Sequence, residues 1–325
     1  MKISFSTDPN ALNLNCGYGV AGFGVVRSLQ NLGHTVPYQD ASAPVEIHWS
    51  NPNEYRYTNP DQYKIAYSTW ESYPINPQWK RRFEYADEVW TTTPIMAEWY
   101  EEALDRDVHV YEHGIDPVWK NKRRKVFSKI KFLHDGEPAP RKNGQMALDA
   151  FRAAFGDRTD VHLTLKAQGF HSLRVFGNQL PENIYPNVSV IKDTYTKEQM
   201  VSLYHSHQVL VMPSEAEGFG LPGLQGLASG MPSIINSGWS SYKEFIDPNL
   251  ELPGKFAPSV HQNVAPGYSF PPSFDDLVDR YIYAADHFDD VSALAYKRSS
   301  QVHERYNWEN VTRKTWQHIF DKFED

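Results

Sequence analysis

The sequence predicts an α/β protein of two Rossmann-like domains, each a doubly wound parallel sheet. Three observations carry this. The chain has 325 residues, more than one hydrophobic core usually supports, so two domains are expected. Short apolar runs alternate with helix-period segments, the pattern of βα repeats feeding a parallel sheet. The stretch Gln208 to Asn236 shows one such repeat clearly. Val209-Leu210-Val211-Met212 is a buried-strand run, ended by Pro213-Ser214 and an acidic, glycine-bearing loop. Leu221 to Ser229 is a small-residue helix stopped by Gly230 and Pro232, and Ser233-Ile234-Ile235 is the next strand.

Taken in order, Lys2 to Ser6 reads as the first strand. A glycine-rich turn follows, Gly17-Tyr18-Gly19-Val20-Ala21-Gly22-Phe23-Gly24, then a helix to about Leu32, with Gly33 as its stop and His34-Thr35-Val36 opening a strand. Gly17-x-Gly19-x-x-Gly22 matches the dinucleotide fingerprint, which suggests an NAD-dependent oxidoreductase. A true fingerprint follows its strand almost at once, whereas ten residues separate Ser6 from Gly17 here. Glycines in this place either bring backbone amides close to a phosphate or serve only a tight turn. Further strands are expected near Val45–Ile47, Lys64–Ser68, Glu88–Thr92 and Val108–Tyr111, with helices over Pro77–Ala86 and Pro94–Leu104.

Nine of the 24 residues from 119 to 142 are Lys or Arg, a local balance of +7 that leaves −15 for the rest of the chain. The run Lys120–Lys131 reads as an inter-domain linker. Such a run is usually a solvated face, and otherwise a contact for a polyanion, either DNA or an anionic membrane surface. The second domain begins at Ile130–His134 and continues with a helix Gln145–Phe155, strands Val161–Leu165 and Val188–Ile191, and a helix Lys197–His205. Beyond Asn236, Ser240 is expected to cap another helix, and residues 247–272 form a proline-rich loop. Ser273-x-x-Asp276 resembles a capping box ahead of a helix through Asp286. The last helix, Glu309–Phe323, carries Val311, Trp316, Ile319, Phe320 and Phe323 on one face.

Hydrophobic content of 40% with 22% charged residues fits a soluble globular enzyme, and no run of eighteen apolar residues marks a membrane span. The N-terminus turns polar too soon for a signal peptide. A single cysteine, Cys16, excludes an internal disulfide framework and suits a reducing compartment, so a cytoplasmic location is expected. Net charge of −8 argues against general nucleic-acid binding by the whole chain.

Pro213-Ser214-x-x-Glu217-Gly218-Phe219-Gly220-Leu221-Pro222 resembles the donor-site signature of the retaining, GT-B-fold glycosyltransferases of family 4. The family's helix end is matched at Ala228-Ser229-Gly230-Met231-Pro232, while its second glutamate is replaced by Gln225. Gly136 to Gly144 looks like the family's phosphate loop, with Lys142 on the lysine position, Glu137 where arginine is usual, and Arg141 placed to compensate. His113-Gly114-Ile115-Asp116 is similar to the turn that closes the first domain, where its role is structural.

The resemblance implies a GT-B fold with a cleft between domains 1–118 and 129–305, the helix 306–325 completing the first. It implies a nucleotide-sugar donor of UDP or GDP type, no metal and no other cofactor. Lys142 and Arg141 would stabilise the departing diphosphate, because charge develops there as the bond breaks. Glu217 would hydrogen-bond the donor sugar and favour an oxocarbenium-like transition state. Gly17, Tyr18 and Gly19 would approach the diphosphate; Phe219, Gly220 and Leu221 would hold sugar or phosphate by their amides, and Gln225 the ribose. In relatives the nucleotide base lies near the equivalent of Ile191–Asp193. On the acceptor side, Trp70 is placed to stack on a sugar and Glu71 to orient a hydroxyl. The plainer reading is a packed tryptophan and a solvated glutamate. The acceptor stays open among glycan, lipid, protein and modified DNA base. Glu137 and Gln225 also keep open a GT-B protein that binds sugar nucleotides without turning them over. Asp105-Arg106-Asp107 mimics a metal-binding motif of another glycosyltransferase fold, but sits between helix and strand and reads as a solvated turn.

Overall fold

The computed structural model describes residues 1–9, 12, 16–56, 59–137, 139–167, 185–261 and 266–323. Pro138 of the predicted phosphate loop, and residues 262–265 of the proline-rich stretch, lie outside the described residues. The chain divides into two compact units, Met1–Asp116 with Glu304–Asp325, and Pro117–His303.

The first unit is built on five parallel strands in the order β1-β2-β3-β4-β5: β1 Ile3–Ser6, β2 Val45–Trp49, β3 Tyr63–Tyr67, β4 Glu88–Thr91 and β5 Val108–Val110. β1 and β2 are buried along their whole length, as a sheet covered on both faces requires. The glycines of the predicted turn lie inside helix α1, Gly17–Asn31, whose cap is Cys16. The predicted strand at His34–Val36 is reduced to isolated parallel bridges, Thr35 with Lys2 and, beyond it, Tyr38 with Phe5 of β1. Pro37 follows Val36, and without an N–H it cannot continue a ladder. The predicted helix Pro77–Ala86 shrinks to a 3₁₀ turn, Pro77–Trp79, and one turn of helix, α2, Lys80–Phe83. α3, Pro94–Leu104, starts where Thr93 Oγ accepts from the Met96 N–H and ends at Asp105 in the left-handed region.

The C-terminal helix, Trp308–Phe323, belongs to this unit and buries Val311, Trp316, Ile319 and Phe320. Trp316 packs edge-on against Trp90 at 5.0 Å. Thr312 shares hydrogen bonds with Ser28 (2.7 Å) and the Tyr111 hydroxyl (2.6 Å). Trp308 presses on the backbone at Gly24 and Gly114; a Cβ on Gly114 would lie 2.5 Å from the indole, so both positions need glycine for close approach.

The second unit holds six parallel strands in the order β11-β10-β9-β6-β7-β8. They are β6 Ile130–Asp135, β7 Val161–Lys166, β8 Val188–Ile191, β9 Val209–Met212, β10 Ser233–Asn236 and β11 Glu251–Leu252. Helices α4 Gly144–Phe155, α5 Lys197–Ser206 and α6 Leu221–Ala228 connect them. A short antiparallel pair follows, β12 Ala257–Pro258 and β13 Tyr268–Ser269. Then come α7 Phe274–Asp286, α8 Phe288–Arg305 and the C-terminal helix, α9. Ser273 caps α7 by accepting from the Asp276 N–H. Phe132, Phe151, Phe155 and Tyr281 form the aromatic centre of the core. Several elements differ from expectation. The helix after Ser240 is only a 3₁₀ turn, Lys243–Phe245, α8 has no counterpart in the sequence reading, and the stretch expected as a proline-rich loop carries the short strands β11, β12 and β13.

Candidate active site

The second sheet has a topological switch point. β6 and β9 are neighbours, yet the chain leaves β6 toward β7 and leaves β9 toward β10, on opposite sides. Right-handed crossovers then send the two helices to opposite faces, opening a crevice at the strands' carboxyl ends. The loops that follow β6 and β9 carry the residues singled out from the sequence.

These loops are stitched together by backbone groups. The Glu215 N–H donates to the Arg141 carbonyl at 2.7 Å, the Arg141 guanidinium to the Ala216 carbonyl at 3.1 Å, and Asn143 Nδ2 to the Pro213 carbonyl at 2.9 Å. Asn143 adopts a left-handed conformation, φ 54°, which ends a 3₁₀ turn over Pro140–Lys142 and starts α4. The clasp brings together two side chains that are 75 residues apart in sequence: Lys142 Nζ donates to both carboxylate oxygens of Glu217, each at 2.6 Å. Arg141 approaches the same carboxylate at 3.5 Å and reaches Glu137 at 3.2 Å. All three principal residues are buried, Glu217 being 5% exposed. The pair is in direct contact, so Lys142 and Glu217 do not face one another across a ligand-sized gap.

Burial works to raise the Glu217 pKa, but the charges of Lys142 and Arg141, with the hydrogen bonds from Lys142, more than offset it and hold the carboxyl below its ordinary range. Glu217 is therefore a carboxylate at neutral pH.

Gly220 begins α6 at φ 82°, and a Cβ there would meet Trp239 at 2.5 Å, so only glycine fits the loop's turn into the helix. Its carbonyl accepts from the Tyr242 hydroxyl at 2.6 Å. Phe219 is buried beside Tyr242, Leu221 is buried at the helix start, and Gln225 is half-buried one turn on.

Groups the sequence reading did not single out surround the pair. His134, at the end of β6, is buried and bonded to the Val211 carbonyl, and burial pushes its pKa down to about 4. Asp135 accepts from the Tyr204 hydroxyl at 2.7 Å; burial raises its pKa against the pull of Tyr204, Lys166 and Lys142. Lys166, buried at the end of β7, donates to the Asp193 carbonyl at 2.7 Å, within the segment expected near the nucleotide base. Glu215 is fully buried, held by the Val260 N–H, the Ser269 hydroxyl and His261. A charged residue closing an apolar strand was the available signal for Asp135 and Lys166; nothing local marked the others.

The remaining predicted residues lie in the first unit. Tyr18 stacks on Trp49 at 4.7 Å and accepts its indole N–H at 2.8 Å; Gly17 and Gly19 form the first turn of α1 with it. Trp70 packs edge-on against Trp79 at 4.8 Å, and Glu71 beside it is half-buried. His113 and Gly114 pack against Trp308, as a structural turn would. Asp105-Arg106-Asp107 ends α3, its arginine donating to the carbonyls of Ala86 and Asp87.

The basic run is not the free linker expected. It falls within the second unit, and Arg124 is buried, donating to the carbonyl and hydroxyl of Ser229 at 3.1 Å. Lys120, Lys122, Arg123 and Lys125 are exposed. Arg124 is thus no solvated charge: its guanidinium is taken up by Ser229. A single His/Glu group with metal-ligand spacing occurs among the described residues, Glu88, His109 and His318, well away in sequence from the Glu217 loop.

Residues 78–314 match the family described as Family 4 Glycosyltransferase in conflict systems. A search of curated protein sequences gave no match. Among solved structures, sucrose-phosphate synthase from Thermosynechococcus elongatus is similar with a TM-score of 0.69 at 15% identity, over 99% of each chain. Anabaena HepE in complex with UDP-glucose gives 0.70 at 10% identity, over 99% of this chain and 100% of that one. A glycosyltransferase from Rickettsia africae gives 0.69 at 11% identity, over 99% and 98%. At such identities the likeness speaks for the fold, which is GT-B.

Proposed function

Because this chain belongs to the family 4 glycosyltransferases of conflict systems, we propose that it moves a sugar from a UDP- or GDP-type nucleotide-sugar donor to an acceptor hydroxyl, with retention of configuration and without a metal. The observation that carries the proposal is the buried contact of Lys142 with Glu217 at the carboxyl ends of β6 and β9. Donor diphosphate draws the Lys142 ammonium and the Arg141 guanidinium onto its oxygens. Glu217, relieved of its partner, then accepts hydrogen bonds from the sugar hydroxyls, and its charge stabilises the oxocarbenium character of the transition state. The leaving phosphate takes the acceptor proton. Amides at Phe219, Gly220 and Leu221 hold the sugar, Gln225 the ribose, and the α1 turn at Gly17-Tyr18-Gly19 the diphosphate. Trp70 and Glu71 serve the acceptor side. HepE has been crystallised with UDP and with UDP-glucose, which supports trying these donors first. No helix among the described residues is long and apolar enough to cross a membrane, and the lone cysteine suits a reducing, cytoplasmic setting.

A second reading has an observation of its own. Glu137 engages Arg141, so Arg141, Lys142, Glu137 and Glu217 cancel in charge, and a donor diphosphate gains less here than at an uncompensated cation pair. That favours a protein that binds sugar nucleotides without turnover.

One experiment separates these. UDP- and GDP-sugars and NAD(H) are screened by thermal shift, and the binders are then assayed for donor hydrolysis and transfer, with the product anomer assigned by NMR. Turnover of a sugar nucleotide that Glu217→Gln abolishes, with donor binding kept, is the expected result. Binding without turnover establishes the second reading, and stabilisation by NAD(H) alone overturns both.

A further inference from the structure

The first unit gathers Glu88, His109 and His318 from three separate elements, β4, β5 and α9. His318 Nε2 lies 2.9 and 3.0 Å from the two Glu88 oxygens, and His109 Nε2 lies 3.5 Å from Glu88 Oε2. One donor atom from each residue fits within a span of 4.8 Å. Zinc bonds of roughly 2.0–2.2 Å to nitrogen and oxygen, in tetrahedral array, set neighbouring donors about 3.3–3.6 Å apart. The cluster is thus close to metal spacing before any ion draws it in. The two imidazoles stack at 4.9 Å with 12° between their planes, and the Nε2 of each lies within 3.5 Å of Glu88 Oε2. Both side chains are over 40% exposed, which leaves room for the small ring rotations that would converge their lone pairs.

The carboxylate is built like a ligand. Glu88 accepts from the Tyr63 hydroxyl through Oε1 and from the Trp90 indole through Oε2, both at 2.7 Å, and is itself mostly buried. Such outer partners fix the orientation of a metal-bound carboxylate. Lys322, one turn after His318, lies over the Tyr63 ring at 3.9 Å.

We propose that Glu88, His109 and His318 bind a borderline divalent cation of the Zn²⁺ class, with water in the fourth position, and that the ion fastens α9 to the β4–β5 edge of its sheet. Two imidazoles and one carboxylate are the donor set such ions prefer over Mg²⁺ or Ca²⁺. Binding takes the neutral Nδ1–H tautomer of each histidine and gives up any proton held at Nε2. These three residues belong to the first unit, and the Glu217–Lys142 pair to the second.

The test uses the full chain after chelator treatment and dialysis. Zn²⁺ at about a hundredfold over its dissociation constant should raise the melting temperature by roughly 5 °C or more, whereas Mg²⁺ should not. Co²⁺ should bind at one equivalent with the intense visible absorption of a four-coordinate site. His109→Ala and His318→Ala, both at exposed side chains, should keep the metal-free melting temperature within about 2 °C and lose the cobalt spectrum. Glu88→Gln is a third variant that keeps the side-chain shape. Failure of the wild-type chain to respond overturns the proposal, as does a cobalt spectrum that survives in the two histidine variants.

Discussion

The two units are both parallel α/β sheets, yet they fill the carboxyl ends of their strands with opposite chemistry. In the first, aromatic and neutral groups gather there: Trp49, Tyr67 and Tyr111 around His113, with Tyr18 stacked across Trp49. In the second, charged groups gather: Arg141, Lys142 and Glu217, with Asp135 and Lys166 close by. Desolvating charge is costly and is kept where it has partners or work. On the proposed reaction, the charged side-chain contacts to the donor would come from the second unit, and the first would offer backbone amides at Gly17-Tyr18-Gly19 and aromatic faces.

Four measurements would break or sharpen that contrast. The largest effect is expected at Glu217. Glu217→Gln should lower kcat by roughly a hundredfold or more, the scale seen when one preorganised electrostatic contact to a transition state is removed. Gln225→Ala should act mainly on the donor KM, by about tenfold, as loss of one hydrogen bond does. Trp70→Phe, which keeps packing against Trp79, should change neither by as much. Equal and mild effects at all three positions would dissolve the contrast.

The next effect concerns acid. Burial lowers the pKa of His48 and His113 in the first unit to about 4 and about 3, and of His134 and His207 in the second to about 4. The unfolded chain takes up these protons near pH 6.5 while the folded chain does not, so stability falls as pH drops below 6.5. Down to pH 4.5 each such histidine costs about 2–3 kcal/mol. Glu217, with its lowered pKa, contributes in full above about 4.5 and is lost only below that. Urea unfolding at pH 7 and pH 5 should therefore show both units weakened before Glu217 protonates. An unchanged midpoint would show that these rings are wetter than their burial indicates.

A smaller effect tests whether the units are energetically separate. Gly114→Ala forces the Trp308 indole to shift and should cost about 1–3 kcal/mol, lowering the melting of the first unit while donor titration of the second is unchanged. The smallest concerns the basic run. Replacing Arg123 and Lys125, both exposed, by Gln should flatten the logarithmic salt dependence of any DNA binding by about 2, if the run contacts phosphate. Arg124→Gln should instead destabilise, since its guanidinium is buried on Ser229.

Strand positions were legible because a strand buried on both faces is a continuous apolar run, and the loops after β6 and β9 because their glycines and charges interrupt such runs. α8 was illegible for the opposite reason: its buried positions, Phe288, Val291, Ser292, Ser299 and Val302, include two serines and leave a thin apolar stripe. His34–Val36 read as a strand until Pro37 deprived the ladder of a donor. The clasp of Asn143 on Pro213, and the meeting of His318 with Glu88 across 230 residues of sequence, depend on topology that no local window contains. Lys142 and Glu217 were each visible alone; their direct contact was not.

The closing helix carries one more consequence. Trp316 and its neighbours complete a sheet whose strands were all synthesised before residue 111, while the entire second unit, Pro117–His303, intervenes in the chain. On the ribosome the later-encoded unit can therefore finish folding first, reversing the common vectorial order. Until α9 has been made, the earlier sheet would lack the helix that covers Trp90 and Tyr111. A nascent chain stalled short of residue 308 would offer that sticky face to chaperones or to aggregation.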